Sequence, residues 1–182
     1  MKKSFYVLLI ATLSLLCVSS AQGQNTEGTE FWLTFGKNGN VNMPSTYMIF
    51  QIRIVGGSLA TTGTIYFTSL DEYIDFDIEP YGVYNYVLNI TQMAAVYNVV
   101  MGKTNFSIHI NTSYSVSVYA FNYIPNISYD ATNVLPVKAL GTEYYQISYT
   151  PPVGTYYDAY AVVATQNNTQ IYHNDDSRES RR

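Results

Sequence analysis

The sequence predicts an all-β fold, an antiparallel β-sandwich, with two packed β-subdomains as the alternative arrangement. Three observations carry this. Apolar and polar residues alternate with period two in many short runs. Gly, Pro and Asn turns separate those runs at short spacing. The composition is that of strands: among 182 residues, 47% are hydrophobic, 15% aromatic and 12% charged, with 19 tyrosines. That charged share is about half the usual one. It also excludes other classes. A net charge of −4 does not suit a nucleic-acid binder, which needs clustered Lys and Arg. The apolar content is too high for a disordered tail.

Each element follows in chain order. Lys2 and Lys3, the apolar run Phe5 to Val18 and the small residues Ser19-Ser20-Ala21 read as a secretory signal over 1–21, cleaved after Ala21. The apolar run is short for a membrane span. Cys17, the only cysteine, follows Leu16, where a lipoprotein site needs a small residue. Residues 22–28 form a polar linker, and 29–171 form the β domain. Ile49 to Val55 is a strand with Ile52 and Ile54 on one face, broken by Gly56-Gly57-Ser58. Thr64 to Ser69 is the next strand. Ile74, Phe76 and Ile78 alternate with Asp75 and Asp77, and Pro80-Tyr81-Gly82 turns the chain. Tyr84, Tyr86, Leu88 and Ile90 alternate with polar neighbours. Gln92 to Val100 has weak helical spacing, but Val96, Tyr97, Val99 and Val100 are poor helix formers. Phe106, Ile108 and Ile110 form one alternating run, and Val116, Val118 and Ala120 another. Tyr145, Ile147 and Tyr149 form a third. Tyr157 to Thr165 reads as a last strand. The strand-rich halves before and after residue 103 are candidates for two sheets.

Catalytic groups are hard to assemble, and no catalytic residue, metal site or cofactor is expected. His109 sits mid-strand, as a residue with one hydrogen-bond partner rather than a base. His173 lies in the tail. With no cysteine in the mature chain and two histidines, zinc lacks ligands. No G-x-S-x-G motif and no glycine-rich phosphate loop is present. The acidic run Asp71, Glu72, Asp75, Asp77 and Glu79 leaves open a Ca²⁺ site or a glycosidase pair. Its plainer reading is the solvated face of a strand. Five N-x-S/T triplets start at Asn89, Asn105, Asn111, Asn126 and Asn167. Most of the tyrosines are expected to pair across strands and stabilise the sheet. The rest of the polar face is Ser, Thr and Asn, an uncharged surface suited to protein or glycan contact.

Two stretches are more specific. One is Gly28-Thr29-Glu30-Phe31-Trp32-Leu33-Thr34-Phe35. The other runs from Val116-Ser117-Val118-Tyr119-Ala120-Phe121-Asn122-Tyr123 to Leu135-Pro136-Val137-Lys138-Ala139-Leu140-Gly141-Thr142-Glu143-Tyr144-Tyr145. Together they resemble the N-terminal domain of the IgGFc-binding protein family over most of Gly28 to Ile171, in a bacterial, Bacteroidetes-type form. Gly63-Thr64-Ile65 and Ile108-His109-Ile110 fall where that family has strands. The resemblance implies a secreted or cell-surface binding or adhesion module, not an enzyme. Its partner would be a protein or glycoprotein such as immunoglobulin Fc or mucin, with no nucleic acid and no membrane span in the mature chain. The motif residues Phe31, Trp32, Tyr119, Asn122, Leu135, Pro136, Leu140, Gly141, Thr142, Glu143 and Tyr144 are expected to be structural. Leu135, Val137 and Leu140 would pack inward, and Glu143 would anchor a loop through backbone hydrogen bonds. The competing classes are a carbohydrate-binding module or catalytic fragment of a glycan-active enzyme, and a structural spacer.

The tail, 172–182, departs from the family pattern. Tyr172-His173-Asn174-Asp175-Asp176 replaces the expected Thr/Ile alternation. Codons for Tyr, His, Asn and Asp, read one base later, encode only Thr, Ile or Met. The reading is a frameshift that truncated a longer gene and left the last strand without a partner. Sequencing the locus for a downstream Thr/Ile-rich frame checks it.

Overall fold

A computed structural model describes residues 25–38, 47–99, 101–146 and 160–173. The signal segment with Ala21, and residues 174–182 of the tail, lie outside the described residues. The strands are β1 (Glu27–Leu33), β2 (Phe35–Gly36), β3 (Ile49–Gly56), β4 (Thr61–Phe67), β5 (Glu72–Ile78) and β6 (Val83–Val87). The one-turn helix α1 (Ile90–Ala94) follows, then β7 (Tyr97–Asn98), β8 (Ile108–Ile124), β9 (Ser128–Val134) and a 3-10 turn at Val137–Ala139.

Among the described residues, seven strands form one antiparallel sheet organised around β8, and β2 and β7 form a small parallel pair. The two runs at Ile108–Ile110 and Val116–Ala120 belong to this single 17-residue strand. Its first part, Ile108 to Asn111, lies between β1 and β4. Its second part, Val118 to Tyr123, lies between β3 and β9. Ser113, Tyr114 and Ser115 fall between the two ladders, opposite the register shift in β1. There the Ser113 hydroxyl accepts the Thr62 N–H at 3.0 Å. A bulge of this kind bends a strand and raises its twist, so one strand serves both halves of a curled sheet. The all-β antiparallel expectation holds, but the division near residue 103 does not. Strands from both sides of that position interleave through β8.

The other side of the curl is closed by the β5–β6 turn. Tyr81 N–H donates to Gly57 carbonyl at 2.7 Å, and Gly56 N–H to Gly82 carbonyl at 2.9 Å. Tyr81 adopts φ 58° at the tip, the left-handed conformation such turns require. Inward residues of both halves join one core. Phe31, Ile65, Phe67, Ile108 and Ile110 come from one half, and Phe50, Ile52, Ile54, Val116 and Val118 from the other.

Helix evidence resolves to a single turn. Asn89 caps α1 through its side chain, which accepts the Gln92 N–H at 3.0 Å, while Gln92 Oε1 accepts the Asn89 N–H at 3.1 Å. The β-branched residues beyond it end the helix, and Tyr97 enters β7. Two other expectations need correction. Residues 160–165, the described part of the Tyr157–Thr165 strand, are in no strand, and the same is true of Tyr145 and Gln146. Residues 157–159 and 147–149 lie outside the described residues. The segment 160–173 folds back at Asn168, with φ 62°, bringing the Tyr160 and His173 rings to 5.4 Å.

Candidate functional site

The alternation of β1, β8, β4 and β5 sends one set of side chains outward, and their register aligns that set into rows. Trp32 pairs with His109, His109 with Tyr66, and Tyr66 with Tyr73. Beside this aromatic row runs a hydrogen-bonding row, Glu30, Asn111, Thr64 and Asp75, from the same registers. Thr62 and Asp77 pair next to it.

The rings are held by one another and by neighbouring side chains. Trp32 stacks on His109 with centroids 4.0 Å apart and planes 16° apart, and Tyr66 stacks on Tyr73 at 4.3 Å and 21°. Such pairs contribute beyond their buried area, about 0.5–1.5 kcal/mol each. Glu30 Oε1 lies 3.1 Å from His109 Nε2 and accepts the Trp32 indole N–H at 3.4 Å. The Tyr66 hydroxyl donates to Asp71 at 3.2 Å, and Thr64 Oγ1 to Asp75 at 3.2 Å. Side chains already fixed lose little entropy on binding. Between the pairs Thr62–Asp77 and Thr64–Asp75 the backbone of Gly63 and Phe76 forms the floor of a shallow hollow, which these four side chains line. The strands β1, β4 and β5 and residues 108–115 contain no Lys or Arg.

The tyrosines also carry a pH signature. Burial raises Tyr66, Tyr84 and Tyr97 above the ordinary 10.0. The Asp71 hydrogen bond adds to it at Tyr66, and the charge of Tyr86 at Tyr84. The Asn38 N–H partly offsets it at Tyr97. A folded state that holds these protons longer than the unfolded chain keeps its full stability below the unfolded value and loses it as pH rises through the folded one. Denaturant midpoints are therefore expected to fall from about pH 9 to about pH 11, with a smaller fall in Tyr97→Phe.

The motif residues fall in separate places. Phe31 is fully buried and bridges Pro136. Pro136 is buried too, and its ring occupies the space a side chain at Gly28 would need. Asn122 ties β8 to the end of β2: its Oδ1 accepts from Asn38 Nδ2 at 2.7 Å and its Nδ2 donates to Gly36 carbonyl at 3.2 Å. Ser128 Oγ donates to Asn38 Oδ1 at 3.0 Å, completing the network around a buried amide. Tyr119 is half-buried opposite Arg53 and Asn133. Leu135 and Val137 are only half-buried and Leu140 is 38% exposed, so the inward packing expected of these three does not form. Gly141, Thr142, Glu143 and Tyr144 are exposed. Glu143 accepts from the Tyr145 hydroxyl at 3.2 Å, a side-chain rather than a backbone bond. Tyr144 makes the local tie instead, donating to Gly141 carbonyl at 2.9 Å.

The acidic run is not gathered. Asp71 serves Tyr66, Glu72 accepts from Gln92 Nε2 at 3.0 Å, and Asp75 serves Thr64. Asp75 and Asp77 lie on the exposed face of β5, which ends before Glu79. Among the described residues no three His, Cys, Asp or Glu side chains come together as metal ligands would. The aromatic row escaped sequence reading because Trp32 and His109 are far apart in the chain. Alternation shows which residues point outward but not which strands are neighbours.

Fold and face define an all-β chain whose outer surface carries stacked rings beside a row of amide, hydroxyl and carboxylate groups. Residues 130–177 match the model of the family described as IgGFc binding protein, a family of binding domains. The resemblance carried by the Leu135–Tyr145 motif is thereby established over that stretch. Neither curated proteins nor solved structures give a match. The matched stretch runs from β9 through the 3-10 turn and beyond, and the aromatic row lies outside it. No helix among the described residues is long and apolar enough to cross a membrane.

Proposed function

We propose that the chain is a non-catalytic binding module, exported by the signal at 1–21 and displayed outside the cell. It recognises a host or matrix glycoprotein of the immunoglobulin Fc or mucin type, through the outer face of β1, β8, β4 and β5. The family match supports a binding role. The observation that carries the location is the row Trp32–His109–Tyr66–Tyr73, whose rings are fixed by stacking and by Glu30 and Asp71. Rigid tyrosine and tryptophan side chains supply contact area at low entropic cost, and Ser, Thr and Asn supply adaptable hydrogen bonds. The test is saturable retention of immunoglobulin Fc or of mucin on the immobilised chain. Retention of either supports the reading, and retention of neither rejects it. Trp32 is the only tryptophan, so its emission reports on this face alone and should change on binding.

A further inference from the structure

We infer that this face recognises the carbohydrate of that glycoprotein, and specifically a neutral oligosaccharide laid along the aromatic row with a sugar ring seated in the hollow above Gly63. The inference rests on the binding reading above and names its ligand. A pyranose has one apolar C–H face and a rim of hydroxyls. It is recognised by an aromatic ring face beside hydrogen-bonding groups: stacking covers one face of each ring in the row, and Tyr73 at its end keeps an exposed face beside Asp75 and Asp77. Tyr73 is 61% exposed at the end of the row, and Tyr66 behind it fixes its ring. One strand position along, Asp75 and Asp77 stand on one face of β5 opposite Thr64 and Thr62. Two carboxylates flanked by two hydroxyls around a shallow hollow suit adjacent sugar hydroxyls, which donate to the carboxylates and to the threonine oxygens, the Thr64 hydrogen being given to Asp75 and the Thr62 hydrogen to Ser113. Four strands at a spacing of about 4.8 Å give the row a length of about 14 Å, enough for several sugar units rather than one.

Charge chooses among glycans. Glu30, Asp71, Asp75 and Asp77 lie on or beside this face, and its strands offer no Lys or Arg to balance a sialic acid or a sulfate. Acidic sugars are therefore repelled, while neutral ones meet only hydrogen-bonding groups. A preference set this way acts by exclusion as much as by attraction.

The experiment is calorimetric titration of the full chain with released immunoglobulin and mucin glycans, each desialylated and each in its native sialylated form. The retention assay is then repeated with enzymatically deglycosylated glycoproteins. The expected result is binding of the desialylated glycans and weaker binding of the sialylated ones. Tyr73→Ala and Asp75→Asn should each weaken binding about tenfold, the order of one aromatic or charge-assisted contact. Tyr129→Ala, on the other half of the sheet, should leave it unchanged. Unfolding midpoints keep loss of binding separate from loss of fold. If deglycosylated glycoprotein is retained as well as the native form and no free glycan binds, the carbohydrate inference is overturned while the binding module stands. If neither glycoprotein nor glycan binds, both fall.

Discussion

Phe50→Ala is expected to cost about 3–5 kcal/mol of folding free energy, the range for removing a buried phenylalanine and leaving a cavity. Phe50 is fully buried on β3, stacks on Phe35 with centroids 4.3 Å apart and meets Tyr97 at 5.5 Å. It is therefore the junction between the large sheet and the small β2–β7 pair. Truncation removes partner atoms from both rings at once, and neither ring can refill the space, because each is held in its own strand pairing at Phe35 and Tyr97. Domains are stable by only about 5–15 kcal/mol, so this one change takes a large fraction. Urea denaturation should show a lower midpoint with an unchanged slope. A loss below about 1 kcal/mol would mean that the site relaxes and that the junction is not a packed one.

Gly63→Ala is the second large effect, expected at about 1–3 kcal/mol from overpacking. An added Cβ would stand 2.5 Å from Phe76 Cζ and 2.6 Å from the Asn111 carbonyl oxygen. The phenylalanine tip can swing, but the carbonyl belongs to β8 and is fixed by the ladder in which Gly63 faces Thr112. The strain therefore reaches the β4–β8 pairing, on which the aromatic row depends. The variant should lose stability in thermal unfolding and also weaken any ligand that contacts Tyr66 and Tyr73. Full stability in this variant would show that β4 can move away from β8 at no cost.

These two positions also show how far the sequence was readable. Phe50 lies in an alternating run whose inward parity is plain from Ile52 and Ile54, and the structure buries all three. Gly63 gives no such signal. Its need for hydrogen in place of a side chain comes from residues 13 and 48 positions away, Phe76 and Asn111, brought there by strand register. The same distinction runs through the molecule. Local alternation identified the cores of β3, β5 and β6 and the turn at Tyr81. It also separated β8 into two runs, because Ser113–Ser115 leave the ladders while the strand goes on. The Tyr157–Thr165 alternation met no partner strand in its described part. Alternation states a capacity to pair, and pairing needs an edge that local sequence cannot name. Leu140 looked like a core residue by type, but it follows the 3-10 turn at the surface. Asn122 sat in the family motif, and its role as the tie to Asn38 and Gly36 became visible only once β2 was placed beside β8.

A paired comparison decides whether the outer face of β1, β8, β4 and β5 is the binding face. Affinity for immobilised immunoglobulin Fc and mucin is measured for the unaltered chain, for the double variant Tyr66→Ala/Tyr73→Ala, and for Tyr129→Ala, which alters the stacked Tyr123–Tyr129 pair on the other half of the sheet. Binding by the double variant is expected to be at least about tenfold weaker and binding by Tyr129→Ala unchanged, with all three proteins folded. Equal binding by the double variant and the unaltered chain, or a loss confined to Tyr129→Ala, would contradict this assignment.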